Sequence, residues 1–497
     1  MSQSSILALA ALALPILGGA AALPLRRLGD RGRMAVLLVA SAASAGMALA
    51  LVPAAMAGPA PRAVLVHFTP QVWLQLRVDP MGALFGATVS LMFLLALVYS
   101  HGYLRRDGHA TRYLAFFMLA QGWMLGVAWA GNLITLLVFY ELFSILVYPL
   151  VVHDETPAAM RAGTKYIVYI LLGGSLVLLG VILCFFLAGD RPFTPGGAFS
   201  AGTDGTMLRA AFWCLLAGFG VKAAIMPLHG WVPDVHPAAP APFSALLSGV
   251  MVAAGTFGIL RVVFEVFGVE LAAALGVLPW LAGLGAFSVL FGGVMAAAED
   301  ELKRRLAWST ISQMAYVLLA VALLAPEVTI GALAHVTHHA FLKGALFFCA
   351  GVLATRAGVE RVSDLRGIAR RMPLTMAAFT IAALGIVGVP PLSGFIGKWV
   401  MGVGMLQAGH PWLLVVLLGG ALLAAWYLLQ PVWLAYFATD DVALPTPPRK
   451  RREAPRSMLL ALAGATVISI ALGLAAALPG MPLSLARRAV LGFFGGG

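Results

Sequence analysis

Apolar residues run along this chain in blocks of about twenty, set apart by short connections that hold most of the charge. The blocks do not alternate apolar with polar positions, which excludes the strands of a barrel with a polar lumen. Each is long enough to cross a hydrocarbon layer of about 30 Å. With no water at that depth the backbone must satisfy its own N–H and C=O groups, so each block is expected to be a helix. The pattern predicts about fourteen spans: 5–23, 34–57, 80–101, 112–130, 132–152, 164–188, 207–227, 242–264, 272–298, 306–325, 329–354, 374–402, 411–437 and 457–478. The fold class is therefore an all-α polytopic membrane protein.

Composition agrees. Of 497 residues, 61% are hydrophobic and 10% charged, where a soluble domain carries roughly a quarter charged. The first block is expected to stay as a helix, because Arg26 and Arg27 follow it, whereas a secretory signal places its basic residues ahead of the apolar run. Cys184, Cys214 and Cys349 are isolated, so no disulfide, zinc-finger or iron–sulfur framework is expected.

The net charge of +12 is explained by orientation and needs no nucleic acid. With the N-terminus outside, inward connections carry 22 Lys and Arg, from Arg26 to Arg456. The outward side carries seven, namely Arg62, Arg77, Arg191, Arg209, Arg261, Arg487 and Arg488. That bias predicts a multi-pass protein of the inner (plasma) membrane with both termini on the outer side. The segment 438–456 reads as a basic, Pro-rich linker on the inner face.

A few ionisable residues remain inside the blocks, where each is costly and therefore a functional candidate. Glu141 is the carboxylate placed within a span, and Lys222, Lys343 and Lys398 are the amines. His335, His339 and Lys343 fall at i, i+4 and i+8 of one helix, about 6 Å apart on one face, with His338 bordering it. Histidine and desolvated lysine are proton carriers. Interhelical hydrogen bonding is the alternative use of that face. A zinc site is disfavoured because no carboxylate is near and Lys343 repels a cation.

Two of the lysines stand beside helix breakers. Pro227 has no N–H for the carbonyl of Ala223, so the seventh span is expected to open just past Lys222. Pro390 and Pro391 interrupt the twelfth span ahead of Lys398. Paired interruptions of this kind point to two inverted repeats with discontinuous helices 7 and 12. The expected organisation is a three-helix segment 1–111, repeats over 112–264 and 272–437, the linker 438–456, and a last helix and tail over 457–497.

The stretches VFYELFSILVYPLV, GFGVKAAIMPLHGWVPDVHPAAPAP, STISQMAY, HVTHHAFLKGALF and GVPPLSGFIGKW resemble the antiporter-like subunits shared by respiratory complex I, membrane-bound hydrogenases and Mrp-type cation/proton antiporters. The resemblance covers about residues 79–437. It implies that Glu141 and Lys222 form a charge pair whose separation releases a proton. Lys343, with His335, His338 and His339, would be the central relay, and Lys398 would stand near the opposite exit. A lysine at 398 is more similar to the D-type member of the Mrp antiporters. The family pattern also implies a bridging lysine in the eighth span, and the matching position here is Ala253. Water, or the hydroxyls of Ser248 and Thr256, would have to span that gap.

No Walker motif, dinucleotide fingerprint or cofactor-binding cysteine set is present, so no cofactor, resident metal or catalytic centre is expected. Energy would come from an ion gradient or from partner membrane subunits. Protons are the expected cargo, with Na+ or K+ as candidates beside them. The leading expectation is a proton-translocating subunit of a multisubunit antiporter or redox complex, embedded in a lipid bilayer. The alternatives are a non-conducting structural subunit and the membrane partner of a zinc protein in inorganic-carbon uptake.

Overall fold

The computed structural model describes residues 2–105, 107–199, 204–438 and 453–495. Most of the 438–456 linker, with its Arg449–Arg452 cluster, lies outside the described residues. Among the described residues the chain forms eighteen α-helices. They begin with α1 (Gln3–Ala21), α2 (Gly29–Ala57), α3 (Pro80–Tyr103), α4 (Ala110–Ala128), α5 (Leu133–Val151) and α6 (Pro157–Ala188). The middle third holds α7 (Gly205–Lys222), α8 (Val232–Ala238), α9 (Ala241–Phe267), α10 (Val269–Ala274), α11 (Leu278–Ala298) and α12 (Leu302–Leu323). The last third holds α13 (Pro326–Ala357), α14 (Pro373–Val387), α15 (Ser393–Gln407), α16 (Pro411–Phe437), α17 (Arg456–Leu474) and α18 (Pro482–Phe494). Eleven of these are long and apolar enough to cross a bilayer.

The sequence supplies the stops and starts. Side chains of Asp79, Asn132 and Thr156 accept hydrogen bonds from the first free N–H groups of α3, α5 and α6. The predicted breaks are present: α7 ends at Lys222 and the chain resumes as α8, while α14 ends at Val387 and α15 begins at Ser393. Between α2 and α3 lies an element that the periodicity did not announce. An antiparallel hairpin of β1 (Arg62–Thr69) and β2 (Val72–Arg77) pairs Arg62 with Arg77 and leaves β1 mostly exposed. It marks one end of the bundle, called here the hairpin end.

Helix α9 is buried along its whole length and α12 nearly so, whereas α1, α2, α6, α11, α16 and α17 each leave an apolar face exposed. The latter faces suit lipid or neighbouring subunits. Small residues let the inner helices approach closely. A side chain at Gly255 of α9 would collide with the backbone of Phe219 and Ala223 at the end of α7.

A candidate proton relay

Lys222 closes α7 in a cage. Its ammonium donates to Ser144 Oγ at 3.1 Å and to the Tyr166 hydroxyl at 3.0 Å. It lies 4.8 Å from the centre of the Phe143 ring, 5.3 Å from Tyr166 and 5.8 Å from Tyr140. The break itself is satisfied by Trp231, whose indole N–H donates to the Val221 carbonyl at 2.8 Å. A carbonyl released by the missing helical bond thereby keeps a partner at a depth where water is scarce.

Glu141 is half-buried on α5, one turn before Ser144. It makes no ion pair with Lys222; Ser144 and Tyr166 take the ammonium instead. Oε1 of Glu141 has no protein hydrogen-bond partner. The carboxylate lies against Gly174 of α6, where a side-chain carbon would come within 2.6 Å of Oε2.

Lys343 lies at the centre of the bundle. It donates to the Ser309 hydroxyl at 2.5 Å and to the Leu306 carbonyl at 3.0 Å, and Ser309 is bonded in turn to the Tyr427 hydroxyl at 2.8 Å. Beyond it on α13, the rings of His339 and His335 are 6.0 Å apart. The Tyr316 ring stands edge-on to His335 at 5.7 Å, and Lys398 Nζ lies 5.5 Å from the centre of that same ring. Lys398 donates to the Ile386 carbonyl at 2.5 Å and, more weakly, to Val387 at 3.4 Å. These are the last carbonyls of α14, freed by the break at Pro390 and Pro391.

Lys222 and Lys343 are wholly buried and Lys398 nearly so, yet among the described residues none is paired with a carboxylate. None of the six ring nitrogens of His335, His338 and His339 has a protein partner, and all three rings are at most 2% exposed. Buried polar atoms left without protein partners call for internal water. Among the described residues no three metal-ligating side chains converge.

The gap at Ala253 is also placed. Ala253 is wholly buried on α9. Ser248 reaches across to Thr310 at 2.6 Å, next to the Ser309 that holds Lys343. Thr256, the other hydroxyl expected to help, donates to the carbonyl of Ala253 in its own helix, at 2.9 Å. Hydroxyls thus extend the relay from the Lys343 side only.

The family description "NADH:quinone oxidoreductase/Mrp antiporter, TM" matches residues 130–424, which contain all the groups just described except Tyr427. The chain belongs to this family. It is 34% identical over 452 residues to NADH-quinone oxidoreductase subunit N of Desulforudis audaxviator, covering 88% of this chain and 89% of that protein. It is 35% identical over 343 residues to hydrogenase-4 component B of Escherichia coli, spanning 66% of this chain and half of that longer protein. In fold, it superposes with a TM-score of 0.87 and 24% identity on a chain of the Mrp complex from Dietzia sp. DQ12-45-1b, covering 100% of this chain and 98% of that one. A chain of respiratory complex I from Thermus thermophilus with bound NADH gives 0.80 at 24% identity, covering 99% and 100%.

The relay contains members that sequence reasoning did not single out. Tyr166, Ser144 and Phe143 build the cage of Lys222, Ser309 and Tyr427 hold Lys343, and Tyr316 stands between His335 and Lys398. His236, on α8, is wholly buried and stacked on Phe347 at 5.0 Å, and neither of its ring nitrogens has a protein partner. One assignment needs correction. Arg261 is not an outward connecting residue: it is wholly buried within α9, ion-paired to Asp79 and to Glu265 one turn on. Glu265 is accordingly a second carboxylate within a span, beside Glu141.

Proposed function

We propose that this chain is the proton-translocating membrane subunit of a multisubunit ion-transporting or redox complex. The observation that carries the reading is the series of three buried lysines held by hydroxyls, carbonyls and aromatic faces, with no carboxylate attached. A permanent ion pair would fix the proton; a lysine in a neutral shell can take one up and pass it on. Protons would enter at Glu141 and Lys222 and cross by internal water to Ser248 and Thr310. They would then follow Lys343, His339 and His335 to Lys398. His338 borders that file.

The names of the relatives support a place among other membrane subunits, because each belongs to a larger assembly. The repeats are taken as 112–264 and 272–437, each with one broken helix that ends or begins beside a lysine. The hairpin end is taken as the outer side of the plasma membrane, with both termini there. The lysine at 398 keeps the likeness to the D-type Mrp member as the finer reading, with Na+ or K+ as a candidate counter-ion. The chain holds no catalytic centre of its own in this reading.

The test is replacement in the assembled complex. Glu141→Gln and Lys222→Ala are each expected to abolish coupled transport in sealed vesicles while the complex still assembles. Full transport in both would sink the proposal. Ala253 favours a second reading, a structural subunit that fills an antiporter position without conducting. In that case both variants would transport normally, and deletion of the chain would collapse the complex.

A further inference from the structure

The hairpin end holds a second buried charge cluster, separate from the lysine series. Arg261 of α9 grips Asp79, the N-cap of α3, with both terminal nitrogens, and also contacts Glu265. Arg77, the last residue of β2, reaches Glu265 at 3.0 Å and Asp79 at 3.6 Å. All four side chains are at most 11% exposed. Two guanidiniums and two carboxylates, drawn from positions up to 188 residues apart, are thus closed into one network.

Outside this network lies a cavity of about 310 Å³, lined by Arg77, Asp79, Glu265 and the exposed Gly58 and Arg488. That is room for several waters. Inside the network, one turn back along α9, Phe257 stacks on Phe85 at 4.6 Å. The two rings also wall a much smaller void of about 10 Å³, together with Met81, Leu84, Leu260, Leu333, Val336 and Thr337, and Met81 is shared with the outer cavity. It is at the lower limit for a single water and its walls are apolar. Thr337 is bonded to Thr88 at 2.9 Å and is followed on α13 by His338. Nine residues of α3, roughly 13 Å of helix, separate Thr88 from Asp79.

We propose that this column between α3, α9 and α13 is a gated proton outlet. It would run from His338, which borders the histidine face, past its neighbour Thr337 and the Phe85–Phe257 pair, to the Arg77–Asp79–Arg261–Glu265 network at the mouth. The inference rests on the relay reading above and adds an exit distinct from Lys398. The rings keep the column dry at rest, and their parting admits a short water file. A proton arriving at Glu265 or Asp79 neutralises that carboxylate and leaves two guanidiniums with one anion. The excess positive charge drives the proton on to cavity water, and the carboxylate re-forms its pair. The guanidiniums, which do not give up their own protons, oppose entry of cations from outside.

Accessibility and transport test it together, in the assembled complex within sealed vesicles. Cysteine is placed at half-buried Ala60 in the wall of the outer cavity or at Val336 in the wall of the small void, in a background with Cys184, Cys214 and Cys349 replaced. A membrane-impermeant thiol reagent is added from the hairpin side. A60C is expected to label and V336C to be protected. Adding Phe257→Ala is expected to expose V336C and to shorten the lifetime of an imposed pH gradient several-fold. Glu265→Gln, which leaves Arg261 paired to Asp79, is expected to assemble normally and to slow transport at least tenfold.

If V336C stays protected beside Phe257→Ala and the gradient holds as in the parent, the outlet is refuted. Parental transport by assembled Glu265→Gln refutes it equally. The labelling reads the column without reference to transport. It therefore judges the outlet even if Lys222→Ala transports normally and the relay reading itself has failed.

Discussion

The contact between α7 and α9 sets the position of Lys222, and a single methyl group tests it. A side-chain carbon at Gly255 would lie 2.6 Å from the Phe219 carbonyl oxygen and 2.8 Å from Ala223 Cα, where ordinary contact is 3.4–4 Å. Both obstacles are backbone, so no rotamer relieves them, and Gly255→Ala must part the helices by close to 1 Å. Overpacking of this kind costs about 1–3 kcal/mol, against about 0.5–1 kcal/mol gained from alanine in a helix. The strain falls on the final turn of α7, where Ala223 N–H donates to that same Phe219 oxygen at 2.8 Å. The lysine bonds to Ser144 and Tyr166, at 3.1 and 3.0 Å, have little slack, and a shift of this size breaks them. Gly46→Ala is the control, since nothing lies within 4 Å of a side-chain carbon there. In heat-denaturation of the purified complex and in vesicle transport, Gly255→Ala is expected to lower the midpoint and slow transport on the order of tenfold. Gly46→Ala is expected to leave transport unchanged and the midpoint equal or raised. Equal behaviour of the two variants in both assays would refute the reasoning.

Two further outcomes follow from the structure. Trp231→Phe removes the indole donor from the Val221 carbonyl, which keeps only the Ala224 N–H at 3.2 Å, a loss of about 0.5–1.5 kcal/mol. It should lower the denaturation midpoint more than Trp280→Phe, because Trp280 is 70% exposed. Asp190, in the connection after α6, has its carboxyl pushed up to about 6 by burial. Its protonated form is favoured in the folded state, so this stabilising contribution is complete below the usual carboxylate range of about 4. It is lost as pH rises through about 6. Asp190→Asn, which keeps an oxygen for the Asn132 amide, should therefore gain stability over the parent between pH 4 and 7 and hold that gain above. A difference that does not vary with pH would show that burial is not what perturbs this group.

What the sequence disclosed, it disclosed through local rules. Pro227 and the Pro390–Pro391 pair lack the N–H a helix needs, so the breaks beside Lys222 and Lys398 were legible without any tertiary information. The file of His335, His339 and Lys343 was legible because helical periodicity alone aligns it. Partners contributed by other helices were not legible. Ser144, Tyr166, Ser309 and Tyr427 are ordinary polar residues in apolar runs until folding aims them at a lysine. Ser248 and Thr256 looked equivalent in sequence, yet one bridges to α12 and the other bonds within α9.

Arg261 shows the limit most clearly. Counted by composition it belonged with the outward charges, because its distant partner Asp79 is some 180 residues away. The local signal was Glu265, one turn on, an opposite charge at i+4 in an otherwise apolar helix. The hairpin was missed for a related reason: a short strand pair between two long apolar runs is easily absorbed into a connecting loop.

The central claim is that protons pass through the middle of this chain, and Lys343 is where the claim is most exposed. It is the one lysine joined by protein contacts to both the Ser309–Tyr427 hydroxyls and, through its helix face, to His339 and His335. The decisive measurement is proton movement by sealed vesicles carrying the fully assembled complex with Lys343→Ala, normalised to the amount of complex. Loss of transport with assembly intact is the expected result. Transport at the parental rate would contradict the account and leave the chain a scaffold.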